Sequence, residues 1–594
     1  MAKIDTKTEE NIETELPLVQ GHHWTGCKED SFLRVEPENY YAVLAQIEDK
    51  IMDKMKNYFV AMEHGKMVVV EEKFSLLRDL DGNETETPEL VMAKSEKELA
   101  AFYKNKPMWI PELNEGKQGE YVTWKKVNFV THWFNELDRP SYKEIVFEPY
   151  PYGEQKFEDL VKLKTGVDVY NRFKGFPVTP DFDNPDGCKL IKQHLLNVIC
   201  AGDPTKYAWL MSWFALKVQS PQKIGTTPVM MGPEGCGKGT VASRVFGRII
   251  GRESFVHLGN VQALIGRFTA LKDTTLLTYL DEAIFSRNPE QAARLKTLIS
   301  EEKMTVESKF KDAKTIVSYS DYIIATNALF SAPAEETNRR YVVFDCDRSA
   351  LPKDTREYFT ALNYEIDNGG IESFYGFLLD WEQGAHTYET TDENRKPILA
   401  VVDPKVALKT NDTIDQILLN MTPLQEWWHN VLTSGSFGQI FEDIRDEETL
   451  SWDDAHRYVH IPKDALFNAM RHYVKSRRPD ERLATSGDLF KYLQTICPSI
   501  QPGKKPTFRE GDLFFRISKG TRPICVDIPS LEQARKEWED RLNIKLDWET
   551  GRPLDNKDDD KTVPDEVFEA RSVDVNEPTF IGKKTGFDEN DIPF

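Results

Sequence analysis

Cysteine is scarce and scattered in this 594-residue chain. Seven residues stand at 27, 188, 200, 236, 346, 497 and 525, with no CxxC pair and an odd total. A disulfide framework thereby has no support, and a reducing compartment such as the cytoplasm of a bacterial host is expected. His22, His23 and Cys27 lie close together but lack a second ligand pair at zinc spacing, so they read as a loop. No run of about 18 apolar residues occurs. The opening MAKIDTKTEENIETE has no apolar stretch after its first lysine, so neither membrane spans nor secretory export are expected. Positive charge is also in deficit: 76 Lys and Arg against 98 Asp and Glu give −22, which taken as an average argues against a nucleic-acid partner. The average hides segregation. Residues 463–522 carry 13 bases and 6 acids, whereas 555–594 carry 12 acids and 5 bases. One basic working face and one acidic appendage are the expectation.

What is present is ordinary for globular cores, 40% hydrophobic and 29% charged residues, and the length implies several domains at about 150 residues each. Residues 1–35 are polar and read as a flexible terminus. Val43, Ile47, Ile51 and Met55 recur at helical spacing within 40–59. YFVAME and KMVVVEE, separated by His64-Gly65, read as a β-hairpin. Helices are expected over 96–103, 124–137, 188–201 and 207–218, making 36–185 a helical accessory module and 186–226 a helical lead-in. From 227 to 350 short apolar strands alternate with helices, the pattern of a parallel α/β sheet. Residues 351–455 read as helical. The stretch 456–545 reads helix, helix, strand, strand, helix, an order that suits a winged helix-turn-helix. Residues 546–594 read as a disordered acidic tail.

The sharpest chemical signal is PVMMGPEGCGKGTVASRVFGRII. An apolar strand leads through Gly232, Pro233, Glu234, Gly235, Cys236 and Gly237 to Lys238, Gly239 and Thr240, and an amphipathic helix follows. Glycines let successive backbone N–H groups turn inward around phosphate oxygens, the helix N-terminus adds a favourable dipole, and the lysine reaches the β- and γ-phosphates. This is the P-loop pattern, with ATP and Mg²⁺ as its expected ligands. One position departs from it. Gly239 stands where Ser or Thr normally meets magnesium, and Thr240 comes one residue late, an ending that nucleoside monophosphate kinases tolerate. Some forty residues on, TTLLTYLDEA reads as a buried strand ending in Asp281 and Glu282, the first suited to magnesium and the second to orienting the attacking water. SDYIIATNALF ends at Asn327, placed to sense the γ-phosphate. ETNRRYVVFD supplies Arg339 and Arg340, of which one is expected to complete a neighbouring subunit's site as an arginine finger, with a slight preference for Arg340.

The order GPEGCGKGT, LLTYLDEA, IIATN, NRRYVVFD resembles the superfamily 3 helicases, and more closely the virus and plasmid primase-helicase group. VYNRFKGFPV, HLLNVICAGDPTKYAWLMSWFALKVQSP and LIGRFTALKD agree with it, so the resemblance covers about 120–540. It implies an AAA+-like ATPase core forming a ring, usually a hexamer, that moves on single-stranded DNA in phage or mobile-element replication. It also implies a basic hairpin between the acid pair and the sensor strand. Here that segment is MTVESKFKDAKTIV, with Lys309, Lys311 and Lys314 as DNA contacts or, more plainly, as a solvated turn. Lys504, Lys505, Arg509 and Arg516 give the winged-helix segment a basic pair of strands, which either docks on duplex DNA or braces the ring.

Two further readings complete the sequence. Related proteins often carry a primase domain upstream, and Asp79, Asp81 and Thr131-His132 are its only candidates here. A primase needs clustered carboxylates for two metals, whereas DLDG reads more simply as a turn. The other rivals are an origin-binding AAA+ initiator and a nucleoside monophosphate kinase, the latter leaving Asn327, Arg339 and Arg340 unexplained. Finally, GFDENDIPF resembles the acidic tip of bacterial single-stranded-DNA-binding protein at Phe587, Asp588, Asp591, Ile592, Pro593 and Phe594. That resemblance implies capture by host proteins through a pocket for the terminal phenylalanine and a basic group for its carboxylate.

Overall fold

A computed structural model of the chain describes residues 23–63, 66–78, 84–93, 95–265, 274–281, 289–306, 314–327, 338–391, 397–437, 452, 458–479, 485–502, 513–514, 524–542 and 544–553. The chain divides into two compact units, Met1–Met421 and Thr422–Phe594.

In the first unit the helix Tyr40–Lys54 buries Val43, Ile47 and Ile51 on one face, as their spacing dictates. They pack into a core with Trp24, Val60, Phe129 and Trp133. The expected frayed terminus therefore does not reach residue 24, whose indole is only 2% exposed. The expected hairpin forms, Tyr58–Glu63 against Lys66–Arg78, but the module is not helical. A third strand, Glu84–Ala93, and a short parallel one, Ser141–Tyr142, complete a four-stranded sheet. A second antiparallel hairpin pairs Met108–Gly116 with Gly119–Val127. The helix expected over 124–137 begins only at Phe129–Glu136, where the Asn128 side chain accepts the Val130 N–H and starts it. WKKV upstream belongs to the strand. Across that junction Trp124, Val127, Val130 and Phe134 follow a helical period, which is why sequence periodicity merges the two elements.

Residues 227–345 build a five-stranded sheet from β1 (Thr227–Met231), β2 (Phe255–Leu258), β3 (Leu277–Leu280), β4 (Asp321–Thr326) and β5 (Tyr341–Asp345). Their order is β2-β3-β4-β1-β5, and every pairing is parallel. β3 and β4 are buried at every residue, the consequence of a sheet covered on both faces. In such sheets ligands bind beyond the carboxyl ends of the strands. The opposite end is tied by a buried ion pair. Lys217, near the end of the helix Pro204–Gln219, places Nζ 2.8 Å from Asp321 Oδ2 and donates to the carbonyl of Tyr319 at 2.6 Å. Asp321 also accepts the Ile224 N–H at 3.1 Å and that of Gly225 at 3.3 Å. A charge so deeply buried is tolerable only when paired and hydrogen-bonded this completely.

The region expected to be helical after 350 contains the helices Thr355–Glu365, Ile371–Asp380 and Asn411–Leu419, and also a hairpin, Thr387–Thr391 with Pro397–Val401. Thr410 and Thr413 fasten the last helix to β5 through Val343, the first donating to its carbonyl and the second accepting its N–H, both at 2.9 Å.

In the second unit the helix Pro423–Ser434, opened by a Thr422–Gln425 capping box, packs on Lys463–Arg477 and Leu531–Leu542. The helices Lys463–Arg477 and Ser486–Ile496 follow one another, and short strands form a sheet of order Gln501–Pro502, Cys525–Ile528, Tyr458–Pro462, Leu513–Phe514. A strand thus precedes the two helices that the sequence reading placed first. Residues 546–553 are not tail. Leu546–Asp547 pairs with Arg552–Pro553, and the Gly551 carbonyl accepts from His429 Nε2 at 2.9 Å.

Candidate phosphate-binding site

β1 ends at Met231 and the chain turns through Gly232, Gly235 and Gly237, whose φ angles are +148°, +80° and +77°. Only glycine adopts these without strain, and a run of such positions is what lets consecutive amides face one concavity. Neighbours also crowd two of them, Gly237 beyond what a side chain could occupy. A β-carbon on Gly232 would lie 3.0 Å from Cys346 Cβ, and one on Gly237 would collide with the imidazole of His194 and approach Phe359 Cε1 to 3.1 Å. Pro233, Glu234 and Gly235 are exposed at the crest, whereas Cys236 is buried. Beyond Lys238, Gly239 takes helical angles and the chain continues as the helical segments Thr240–Phe246 and Gly247–Ile250.

Lys238 is only 8% exposed. Its ammonium donates to the carbonyl of Gly232, to that of Pro233 at 2.9 Å and to Asn327 Oδ1 at 2.8 Å. Asn327 directly follows β4, which lies between β1 and β3. One strand further, Asp281 directly follows β3; its carboxylate accepts from the Tyr279 hydroxyl at 3.0 Å and has His257 Nε2 at 3.6 Å. Lysine, amide and carboxylate therefore stand just beyond three neighbouring strands, at one end of the sheet. Thr240 is half-buried at the start of the helix. Glu282 lies outside the described residues.

Sequence reasoning missed three groups here. Arg348 donates Nη1 to the Glu234 carbonyl at 2.8 Å, bracing the crest of the loop from the segment after β5. His194 backs Gly237, with Nδ1 3.1 Å from the Tyr358 hydroxyl. Burial pushes this imidazole down to about 4, the backbone of Cys236 opposing the shift, so at neutral pH it is uncharged. Tyr279 is the third. HLLNVI and TYLDEA contain His194 and Tyr279, but nothing local in those strings says that they meet the loop. Only the fold brings them there.

Arg339 and Arg340 precede β5 at the other end of the sheet. Tyr341 pairs with Thr227 and Asp345 with Met231, so Arg340 sits about 17 Å along the strand from the loop. Arg340 Nε donates to Ser300 Oγ, and Arg339 is exposed. Neither stands at the end of the sheet that carries the loop.

The segment expected to be a basic hairpin is one: Lys303–Val306 pairs antiparallel with Lys314–Val317. Lys314 opens the second strand, while Lys309 and Lys311 lie outside the described residues. So do Lys504, Lys505, Arg509 and Arg516, the tip residues Phe587, Asp588, Asp591, Ile592, Pro593 and Phe594, and the primase candidates Asp79 and Asp81. His132 is described, with Nε2 3.2 Å from Glu48 Oε1. Among the described residues no group of His, Cys, Asp and Glu is arranged to hold a metal ion, and no helix is long and apolar enough to cross a membrane.

A family described as Family of unknown function (DUF5906) matches residues 230–340, the stretch holding the loop, Asp281 and Asn327. The DNA Primase-polymerase of Nitratiruptor phage NrS-1 is 23% identical over 234 residues, 38% of this chain and 31% of that protein. The match thus spans about a third of the curated relative's length. The apo structure of the NrS-1 C terminal region (305–718) aligns with a TM-score of 0.48 and 15% identity, over 81% of this chain and 98% of the other. Its A form aligns at 0.45 and 16%, over 77% and 96%.

Proposed function

We propose that the chain is an ATP-dependent DNA helicase or translocase of the superfamily 3 type, working as a ring, with a hexamer expected, on single-stranded DNA in phage or mobile-element replication. One observation carries the reading: Lys238 is held by loop carbonyls and Asn327 at the carboxyl end of a parallel sheet, with Asp281 one strand beyond. An ammonium stored on neutral acceptors is ready to exchange them for the β- and γ-phosphate oxygens of ATP. The same exchange releases the Asn327 side chain, so that an empty and a filled site differ at β4 as well as at the loop. Similarity to a phage protein named DNA Primase-polymerase supports the replication setting.

The residues fit a divalent cation beside the phosphates. Asp281 offers a partly exposed carboxylate next to a cradle of left-handed glycines, and Thr240 offers a hydroxyl. When bound, Mg²⁺ supplies charge neutralisation across the phosphate oxygens. Lys238 binds and orients the phosphate chain, Glu282 orients the attacking water, and an arginine from the far end of a neighbouring subunit's sheet stabilises the charge that develops. Lys309, Lys311 and Lys314, with Lys504, Lys505 and Arg509, grip the DNA backbone. The tip recruits host proteins.

ATP hydrolysis measured with and without single-stranded DNA tests this reading, because a motor couples the two. Hydrolysis indifferent to DNA would remove the motor. A strand-displacement assay separates a helicase from an AAA+ initiator that uses ATP only to assemble. A primase-helicase is the second reading, favoured by the name of the phage relative, and primer synthesis that is lost on Asp79→Ala would establish it.

A further inference from the structure

Gly239 occupies the position at which a P-loop ordinarily presents a hydroxyl, and neither its backbone nor its surroundings require glycine. Its angles, φ −65° and ψ −33°, are helical. A β-carbon there would meet a single atom within 4 Å, the Tyr279 hydroxyl oxygen at 3.6 Å, an ordinary contact. The loop lacks a side-chain hydroxyl at that place, yet a hydroxyl is present beside it, delivered from β3.

The phenol is firmly held. Tyr279 is fully buried, and its ring lies 4.9 Å from that of His257. Tyr279 and Asp281 are two positions apart, so their side chains leave the chain on the same face. The phenol donates to Asp281 Oδ1 at 3.0 Å while His257 Nε2 stands 3.6 Å from Oδ2. Donating its proton in this way leaves the phenol oxygen with acceptor lone pairs. Thr240 follows Gly239 and offers the site its own hydroxyl, but successive residues of a helix diverge by about 100°, so it adds to, and does not replace, the one that position 239 lacks.

We propose that Tyr279 is a positioning residue of the nucleotide site, its hydroxyl standing in for the one that Gly239 lacks and orienting Asp281 toward the divalent cation. The proposal rests on the reading of the loop as an ATP site. The hydroxyl has moved from loop to sheet, and the acid directly follows the strand that carries its orienting group.

The test is the affinity of the full chain for a fluorescent non-hydrolysable ATP analogue, in saturating Mg²⁺ and in EDTA, with the Mg²⁺ concentration for half-effect read from the same titrations. Tyr279→Phe removes only the hydroxyl. It is expected to weaken binding in Mg²⁺ by about tenfold or more, the size of a lost hydrogen bond to a charged group, and to raise the half-effect concentration while leaving affinity in EDTA unchanged. The double variant Tyr279→Phe/Gly239→Ser, which returns a hydroxyl to the loop, is expected to recover most of the Mg²⁺-dependent gain. Equal loss in Mg²⁺ and EDTA would reduce Tyr279 to a structural role, and an unchanged Mg²⁺ response, or no recovery in a folded double variant, would overturn the substitution outright. A wild-type chain that binds the analogue in neither condition would instead overturn the nucleotide site itself.

Discussion

The imidazole of His194 stands where a β-carbon on Gly237 would have to go. Replacing Gly237 by Ala therefore combines a left-handed backbone, which costs about 1–2 kcal/mol for an L-residue, with a collision against a buried ring. Thermal melts of Gly237→Ala are expected to fall well below wild type, with nucleotide binding lost. Adding His194→Ala should recover part of the stability, because it removes the collision but not the backbone cost. Wild-type melting of the single variant would contradict the packing.

The same histidine gives stability a pH dependence. Native His194 is held neutral, titrating at about 4, whereas an unfolded histidine titrates near 6.5. Between these values the unfolded chain takes up a proton that the native chain refuses. Stability is therefore complete above about 6.5 and declines as pH falls toward 4, by about 3 kcal/mol over the whole window. Urea melts from pH 7 to pH 5 should show the decline, and His194→Gln should flatten it. Parallel profiles for the two proteins would show that another group is responsible.

Lys238→Ala removes the ammonium from Asn327 and from the loop. Hydrolysis is expected to drop by at least 10²–10³-fold, in the range seen when one stabilising donor is removed, and unwinding should be lost with it. Glu282→Gln should keep nucleotide binding while hydrolysis stops. Near-normal turnover by either variant would refute the site assignment.

Arg340 is engaged by Ser300 while Arg339 is exposed, and this separates the two in an experiment. Arg340→Ala should cost about 1 kcal/mol of stability through the lost hydrogen bond. Arg339→Ala should change stability by less than about 0.5 kcal/mol, as surface substitutions do. Whichever variant also abolishes hydrolysis, and recovers some when mixed with Lys238→Ala, carries the finger, because a mixed ring can assemble one intact composite site. Proven mixing without recovery would leave both arginines with structural roles.

A peptide of residues 586–594 is expected to bind a host protein that recognises the tip of single-stranded-DNA-binding protein. Amidation of its C-terminus should abolish that binding, since the free carboxylate is the required contact. Deleting Phe594 from the full chain should remove the interaction and leave ATP hydrolysis intact. Equal binding by the amidated peptide would dispose of the mechanism.

The sequence made the loop, the strands of the parallel sheet and the positions of Asp281 and Asn327 legible because each is local: an apolar strand, a turn that demands glycine, a polar residue directly at the strand end. In the sequence Tyr279 is only one residue of an apolar run, since the significance of its hydroxyl depends on Gly239, forty residues away. His194 and Arg348 escape for the same reason, reaching the loop from segments that precede and follow the sheet-forming residues in the chain. The N-terminal module departs from its sequence pattern for another reason. Its strands Lys66–Arg78 and Glu84–Ala93 carry many charges, so they lack the apolar continuity that announces a buried strand, and WKKVNFVTHWF spans a strand and a helix with one continuous spacing.

The pair Lys217–Asp321 also has a bearing on the chemistry at the other end of β4. Asp321 is the first residue of that strand, and Asn327 is the first beyond its last. Side chains alternate along a strand, so a slip of one residue would turn Asn327 away from Lys238. It would also strand Lys217 as an unpaired charge in the sheet's interior, at a cost of about 3–5 kcal/mol. The six residues of β4 thus act as a ruler, its zero mark set by a salt bridge at one end of the sheet and its reading taken at the other, where Asn327 meets Lys238.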